Sequence, residues 1–249
     1  MVKKGDTLIE VTLAVGIFSM VAIAIVAVMS SGISTAQTSL ETTLTREEID
    51  TQAEAIRFIH SAYVGDQQVK DSPYVKLWQA ITNGAEEVSS DEAEAKSLLQ
   101  FQPSTCQSIY DSLANAFIIN PRALNSLNSD SDINTVYISS NRQPAKFTQT
   151  TTYPRLVYTR TETSTSTTDN TSLYEGNDYS SLYRAEGIYV IAVKGNNDTF
   201  IVDKADQSGK KSAFYDFYIR ACWYGSNASE PSTISTVIRL YNPDAITSN

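Results

Sequence analysis

The residues of this sequence that could do chemistry are few, and the most telling is a carboxylate, Glu10, at the mouth of a long apolar run. An isolated charge carried to the centre of a bilayer costs about 2.5 to 3.5 kcal/mol, so such a group either stays at the headgroup level or finds a cation. His60 is the single histidine; it lies near the apolar stripe of a helix, with no second histidine and no ligand set around it, and reads as a structural residue. The residues 130–134, Asp-Ser-Asp-Ile-Asn, look like the opening of a calcium loop. Thr135 stands where that loop needs glycine, and Asn141 where it needs glutamate, so they read as a solvated turn. No Gly-rich phosphate loop, HExxH, GxSxG or CxxC occurs, and one histidine cannot build several of the usual nucleophile–base pairs. The expectation is a protein that is not an enzyme, with no cofactor and no metal.

The element that must position Glu10 is a helix. Residues 11–29 are apolar apart from Thr12, Ser19 and Gly16. At 1.5 Å per residue they make a rod of roughly 28 Å, close to the ~30 Å hydrocarbon core of a bilayer. No charged residue occurs between Val11 and Leu40, while Lys3 and Lys4 precede the run. The positive-inside tendency keeps that end cytoplasmic and exports the rest. A cleaved secretory signal would have a shorter apolar region, of about 7 to 15 residues, ending in a small-residue site.

Lys3-Lys4-Gly5, followed by Thr7-Leu8-Ile9-Glu10 and the apolar helix, resembles the class III signal of type IV pilins and type II secretion pseudopilins. The resemblance covers about the first thirty residues. It implies that a prepilin peptidase cuts after Gly5 and methylates the new N-terminus, Asp6. It also implies that Glu10 meets the N-terminal ammonium of a neighbouring subunit, which answers the physical problem, because a carboxylate in an apolar bundle is tolerable only when paired. The family usually begins its mature chain with Phe or another apolar residue; here it is Asp6, a carboxylate able to compete with Glu10 for the amine. That departure favours a specialised or minor pilin over a principal subunit. The partners implied are other pilin subunits, the peptidase, an inner-membrane assembly platform with its ATPase, and the lipid bilayer before assembly. The implied location is a single-pass membrane protein with its C-terminal domain outside, and then an extracellular filament serving attachment, motility or uptake. Two alternatives stand beside it: a pseudopilin of a secretion or DNA-uptake machine, and a single-span anchored binding ectodomain that never polymerises and is not cut at Gly5.

The remainder of the chain, roughly 216 residues, is enough for one good-sized exported domain. Lys and Arg number 19 against 28 Asp and Glu, a net charge of −9 that loses two more positive charges with the leader. Phosphate affinity rests on basic stripes, so no general nucleic-acid binding is expected. The fold class expected is α+β and pilin-like: residues 1–5 a leader, 6–33 the membrane and filament-core helix, 34–64 its amphipathic second half, 65–133 a short-helix insertion, and 134–249 an antiparallel β head. In the second half, Leu40, Leu44, Ile49, Ala53, Ile56, Ile59 and Tyr63 recur at helical spacing. The insertion predicts three short helices. The first carries Tyr74, Leu77, Trp78 and Ile81; the second lies within 90–101; the third opens at Ser104 and puts Ile109, Tyr110, Leu113, Ala114 and Phe117 on one face.

From about Asn134 the period changes to two, and strands are predicted at 135–139, 155–160, 182–193, 199–203, 214–224 and 233–241. Residues 195–198 read as a hairpin turn, and 225–231 as the link between the last two strands. In the fifth strand Tyr215, Phe217, Ile219, Ala221 and Trp223 share one face, the one expected to lie on the long helix. The Ser/Thr-rich stretch 148–172 reads as an exposed loop or edge ribbon, with glycosylation, also at the sequons of Asn170, Asn197 and Asn227, as the alternative. Cys106 and Cys222 form an even pair in the exported part, which favours a disulfide; two buried free thiols are the other possibility.

Overall fold

The computed structural model describes residues 6–69, 71–87, 106, 115–127, 133, 135–139, 145–146, 154–159, 182–195, 214–225 and 228–243. Gly5, the second predicted helix, most of the third, the strand at 199–203, the turn after Gly195, most of the calcium-like and Ser/Thr-rich stretches and all three sequons lie outside the described residues. The chain divides into two compact units, residues 1–42 and 43–249.

One helix, α1 (Asp6–Asp66), begins in the first unit and ends in the second. From Leu8 to Met29 it is apolar apart from Glu10, Thr12, Gly16 and Ser19 and almost wholly exposed, with Leu8 at 68%, Phe18 at 75% and Met20 at 76% of full accessibility. It is long and apolar enough to cross a membrane, and among the described residues it is the one such helix. Its hydroxyls are turned back onto its own carbonyls: Thr12 Oγ1 donates to Ile9 O at 3.0 Å and Ser19 Oγ to Val15 O at 2.8 Å. The surface of the apolar stretch therefore carries no unspent hydroxyl donor at those two positions.

Of the predicted stripe, the part from Ile49 onward is buried, whereas Leu40 is 59% exposed and Leu44 half-buried, because the core reaches α1 only from about Thr45. Ile49, Ala53, Ile56, Ile59 and Tyr63 are all within 5% of full burial. The short helix α2 (Pro73–Asn83) follows, opened by Ser72, whose Oγ accepts from Tyr74 N and donates to Asp66 Oδ2 at 2.7 Å. Proline at the first helical position and a serine cap match the orphaned donors of a helix start. Leu77, Trp78 and Ile81 face inward.

Two sheets complete the unit. The larger has six strands: β1 (Glu86–Glu87), β2 (Phe117–Ile119), β3 (Tyr137–Ser139), β7 (Ile188–Gly195), β8 (Phe214–Trp223) and β9 (Ser232–Tyr241). Their order is β3-β2-β7-β8-β9, and β1 pairs in parallel with β7 beyond the short β2 contact. The smaller sheet runs β4 (Ala145–Lys146), β6 (Leu182–Glu186), β5 (Arg155–Thr159). Every other described pairing in the large sheet is antiparallel; in the small one β5–β6 is antiparallel and β4–β6 parallel.

Three expectations change. The run 182–193 is two strands in two sheets, broken at Gly187, whose φ of 70° belongs to glycine. A Cβ there would sit 2.7 Å from Cys222 O, while Gly187 O accepts from Cys222 N at 2.8 Å, so the break is fixed to the central strand. Phe117, read on a helix face, is in β2: Phe117, Ile118 and Ile119 are a fully buried apolar run, which periodicity cannot assign to helix or strand. The insertion thus supplies strands to the large sheet as well as a helix. Thr135 and Val136 are helical, and the strand starts at Tyr137.

The face of β8 expected on the long helix meets the short helix α2 in its ring contacts, with α1 stacked behind. Trp78 of α2 packs at 5.7 Å from the Phe217 ring and 5.8 Å from that of Tyr215, and stacks on Tyr63 of α1 at 5.4 Å. The opposite face is buried as well, with Asp216 at 1%, Tyr218 at 4% and Arg220 at 5%.

Candidate functional site

Glu10 sits one helical turn after Asp6, the first residue of α1, and its side chain is exposed. From there to Glu41 the helix carries no ionisable group. Between Asp6 and Glu41, Glu10 is thus the one charged residue of α1, on a stretch whose large apolar side chains, from Leu8 to Leu40, are exposed. Apolar surface of this extent marks a membrane or a protein interface. What the arrangement can do chemically is bind: apolar surface seeks lipid or other helices, and the carboxylate seeks a cation.

The second unit holds the remaining candidates. Cys106 and Cys222 are joined as a disulfide, with a Cα–Cα distance of 5.6 Å and a sequence separation of 116, and both are 1% exposed. It ties residue 106 of the insertion to the central strand β8. His60 Nε2 lies 2.8 Å from Tyr241 O and its ring 5.0 Å from that of Trp78, so it joins α1 to the end of β9. Among the described residues no group of three or more His, Cys, Asp or Glu side chains could hold a metal ion. Glu10 and the cysteines belong to different units.

Three polar contacts were not anticipated: one between α1 and the large sheet, one within that sheet, and one between α1 and the small sheet. Gln52, on the buried stripe of α1 and 0% exposed, donates from Nε2 to Ile119 O at 2.8 Å and accepts at Oε1 from Ile119 N at 2.9 Å. Its amide acts as a strand would, at the point where β2 has left β7 after the Phe117–Val190 pair. A polar residue in the stripe between Ile49 and Ile56 was the available sign. Asp216 on β8 takes both arms of Arg239 from β9, at 2.8 Å and 2.7 Å, and the guanidinium lies 4.0 Å from the Phe214 ring centre. Asp216 and Arg239 are register partners, which shows only once the strands are paired. The hydrogen bonds to Asp216 raise the pKa of Arg239, and burial followed by the Asp216 charge raises that of Tyr218. Half-buried Glu48 on α1 is pushed above its ordinary carboxyl range by burial, against the pull of a backbone hydrogen bond from Leu156 of β5.

Compared with family models, with curated proteins and with solved structures, the chain matches none.

Proposed function

We propose that this chain is a structural subunit, a specialised or minor pilin, of a type IV pilus or related filament, and that it has no catalytic role. In this reading a prepilin peptidase cuts after Gly5 and methylates Asp6. The apolar half of α1 holds the precursor in the bilayer with the second unit exported. An inner-membrane platform with its ATPase then moves it into a filament of other pilin subunits, displaying the exported unit for attachment, motility or uptake.

The observation that carries the reading is Glu10, five residues past a Lys-Lys-Gly site, at the head of an exposed helix that carries no charge from Val11 to Leu40. A helix apolar on all sides gains little by associating in lipid except through packing. A carboxylate at its tip, paired with the neighbour's terminal ammonium, supplies the specific contact. The disulfide supports export, because such bonds persist in oxidising compartments. A pseudopilin of a secretion or DNA-uptake machine would use the same processing, and a non-polymerising anchored ectodomain would not.

Mass spectrometry of the N-terminus of the native protein tests this. The expected terminal residue is N-methyl-Asp6; a chain that still begins at Met1 or Val2 and carries Lys3 and Lys4 refutes it.

A further inference from the structure

We infer that β9 is a docking edge for a second copy of this chain, the two β9 strands pairing antiparallel about a two-fold axis so that the large sheets of both copies join. β9 ends the sheet order β3-β2-β7-β8-β9, and among the described residues no strand lies beyond it. An edge strand turns the N–H and C=O of every second residue off the sheet, a template for another strand. Proteins ordinarily guard such an edge by shortness, proline, charge or a bulge. The opposite edge obeys that rule, since β3 has three residues. β9 does not. It has ten residues, none of them proline, and its register with β8 runs from Ser232 to Tyr241 without a break. Its one charge, Arg239, is compensated by Asp216 through two hydrogen bonds. Val237 is 47% exposed and Tyr241 65%, while Ile234 and Leu240 are only partly buried against the core.

The occupant follows from the pattern of β9 itself, which is complementary to its own reverse. With Val237 on the axis, Val237 meets its own counterpart, Ser235 meets Arg239, and Thr233 meets Tyr241. On the other face Ile234 meets Leu240, two apolar side chains that the core leaves partly open. The two Arg239 side chains are four residues apart along the paired strands, about 14 Å, so no like charges stand opposite each other. Centring on Thr236 would instead set Tyr241 against Pro231, outside the strand. His60 Nε2 already holds Tyr241 O at 2.8 Å and closes the edge at that end. A two-fold pair is itself closed: each copy spends its one long edge, and pairing stops at two.

The inference does not rest on the filament reading, and its test separates β9 from any association through α1. The chain has two cysteines, and both are in the Cys106–Cys222 disulfide, so an added cysteine supplies the one available thiol. Full-length Val237→Cys and Ser235→Cys would be purified in detergent micelles and treated with a mild oxidant. Directly opposed residues of antiparallel strands have Cα atoms about 4.5 to 5.5 Å apart, inside the range for a disulfide. Two Ser235 positions would be about 14 Å apart, outside it. Both substitutions replace exposed side chains, and both variants should melt with the parent. Val237→Cys is expected to give a disulfide-linked dimer in at least about tenfold higher yield than Ser235→Cys. Equal yields, as association through α1 alone would give, would overturn the inference. So would the absence of a cross-link at 237, the result if β9 receives a strand of a different protein.

Discussion

Gln52 and Ile119 meet through two hydrogen bonds, amide nitrogen to carbonyl at 2.8 Å and backbone N–H to amide oxygen at 2.9 Å, so that one side chain of α1 stands in for a missing strand beside β2. Both partners are fully buried, and water has no access to replace either bond. A buried helix–sheet contact made only of apolar groups would tolerate rotation or sliding of the helix. This one fixes α1 at a single height and rotation against the sheet.

Gln52→Leu should therefore cost about 2 to 4 kcal/mol of stability, since it orphans both a buried donor and a buried acceptor. Gln52→Glu should cost more at neutral pH, because its second oxygen faces Ile119 O. It should recover part of the loss in acid, when a protonated carboxyl can donate again. Denaturant melts of the three proteins at two pH values decide this; a Gln52→Leu variant as stable as the parent would show the amide to be dispensable.

The Asp216–Arg239 pair makes a different prediction. Asp216 is 2% exposed at the side chain while Arg239 is 39% exposed, so the carboxylate bears most of the desolvation. Arg239→Met leaves that carboxylate buried and unpaired, at an expected cost of about 2 to 4 kcal/mol once screening of the exposed guanidinium is allowed for. Adding Asp216→Asn should restore part of the stability. A double-mutant cycle in which the two losses simply add would refute the coupling.

Glu48 sets a pH dependence. Burial, the largest effect, raises its pKa above the ordinary 4.5, and Glu47 adds to the rise; the Leu156 N–H and Arg122 oppose it. A carboxyl raised in the folded state contributes stability that is fully present below the unfolded pKa and lost as pH climbs through the folded one. Stability relative to Glu48→Gln should accordingly fall as pH rises from about 4 toward neutral. Unfolding midpoints of both proteins across that range give the answer, and a constant difference would contradict the assignment.

The disulfide closes a loop of 116 residues onto a central strand, for which chain entropy suggests roughly 4 to 5 kcal/mol. The double variant Cys106→Ser, Cys222→Ser should lose stability on that scale. Because both sulfurs are buried, reductant should leave the folded protein untouched and cleave the bond only after denaturant is added. Rapid alkylation of two thiols under native reducing conditions would count against it.

Under the proposed filament role, in which Glu10 meets a neighbour's terminal ammonium, Glu10→Ala should reduce incorporation at least tenfold, on the scale of losing a charge pair at an interface, while the second unit melts at the same denaturant concentration. Parent levels of filament in that variant would remove Glu10 from the assembly mechanism.

The sequence by itself determined the apolar helix, the carboxylate Glu10 at its mouth and the period of the stripe that runs through Ile49, Ala53, Ile56, Ile59 and Tyr63, because each is a local pattern; that Leu40 and Leu44, on the same period, are left exposed and half-buried is decided by where the core ends. It also placed the aromatic face of β8, where alternation alone decides which side chains travel together. Only the tertiary structure decided that Phe117 is a strand residue and that the run through Gly187 belongs to two sheets. A three-residue apolar run fits either period, and one glycine does not announce a change of sheet. The partners of Gln52 and Asp216 were likewise out of reach, being 67 and 23 residues away. Hydrogen bonds of that separation are chosen by register and burial, which exist only once the helix has been laid on the sheet.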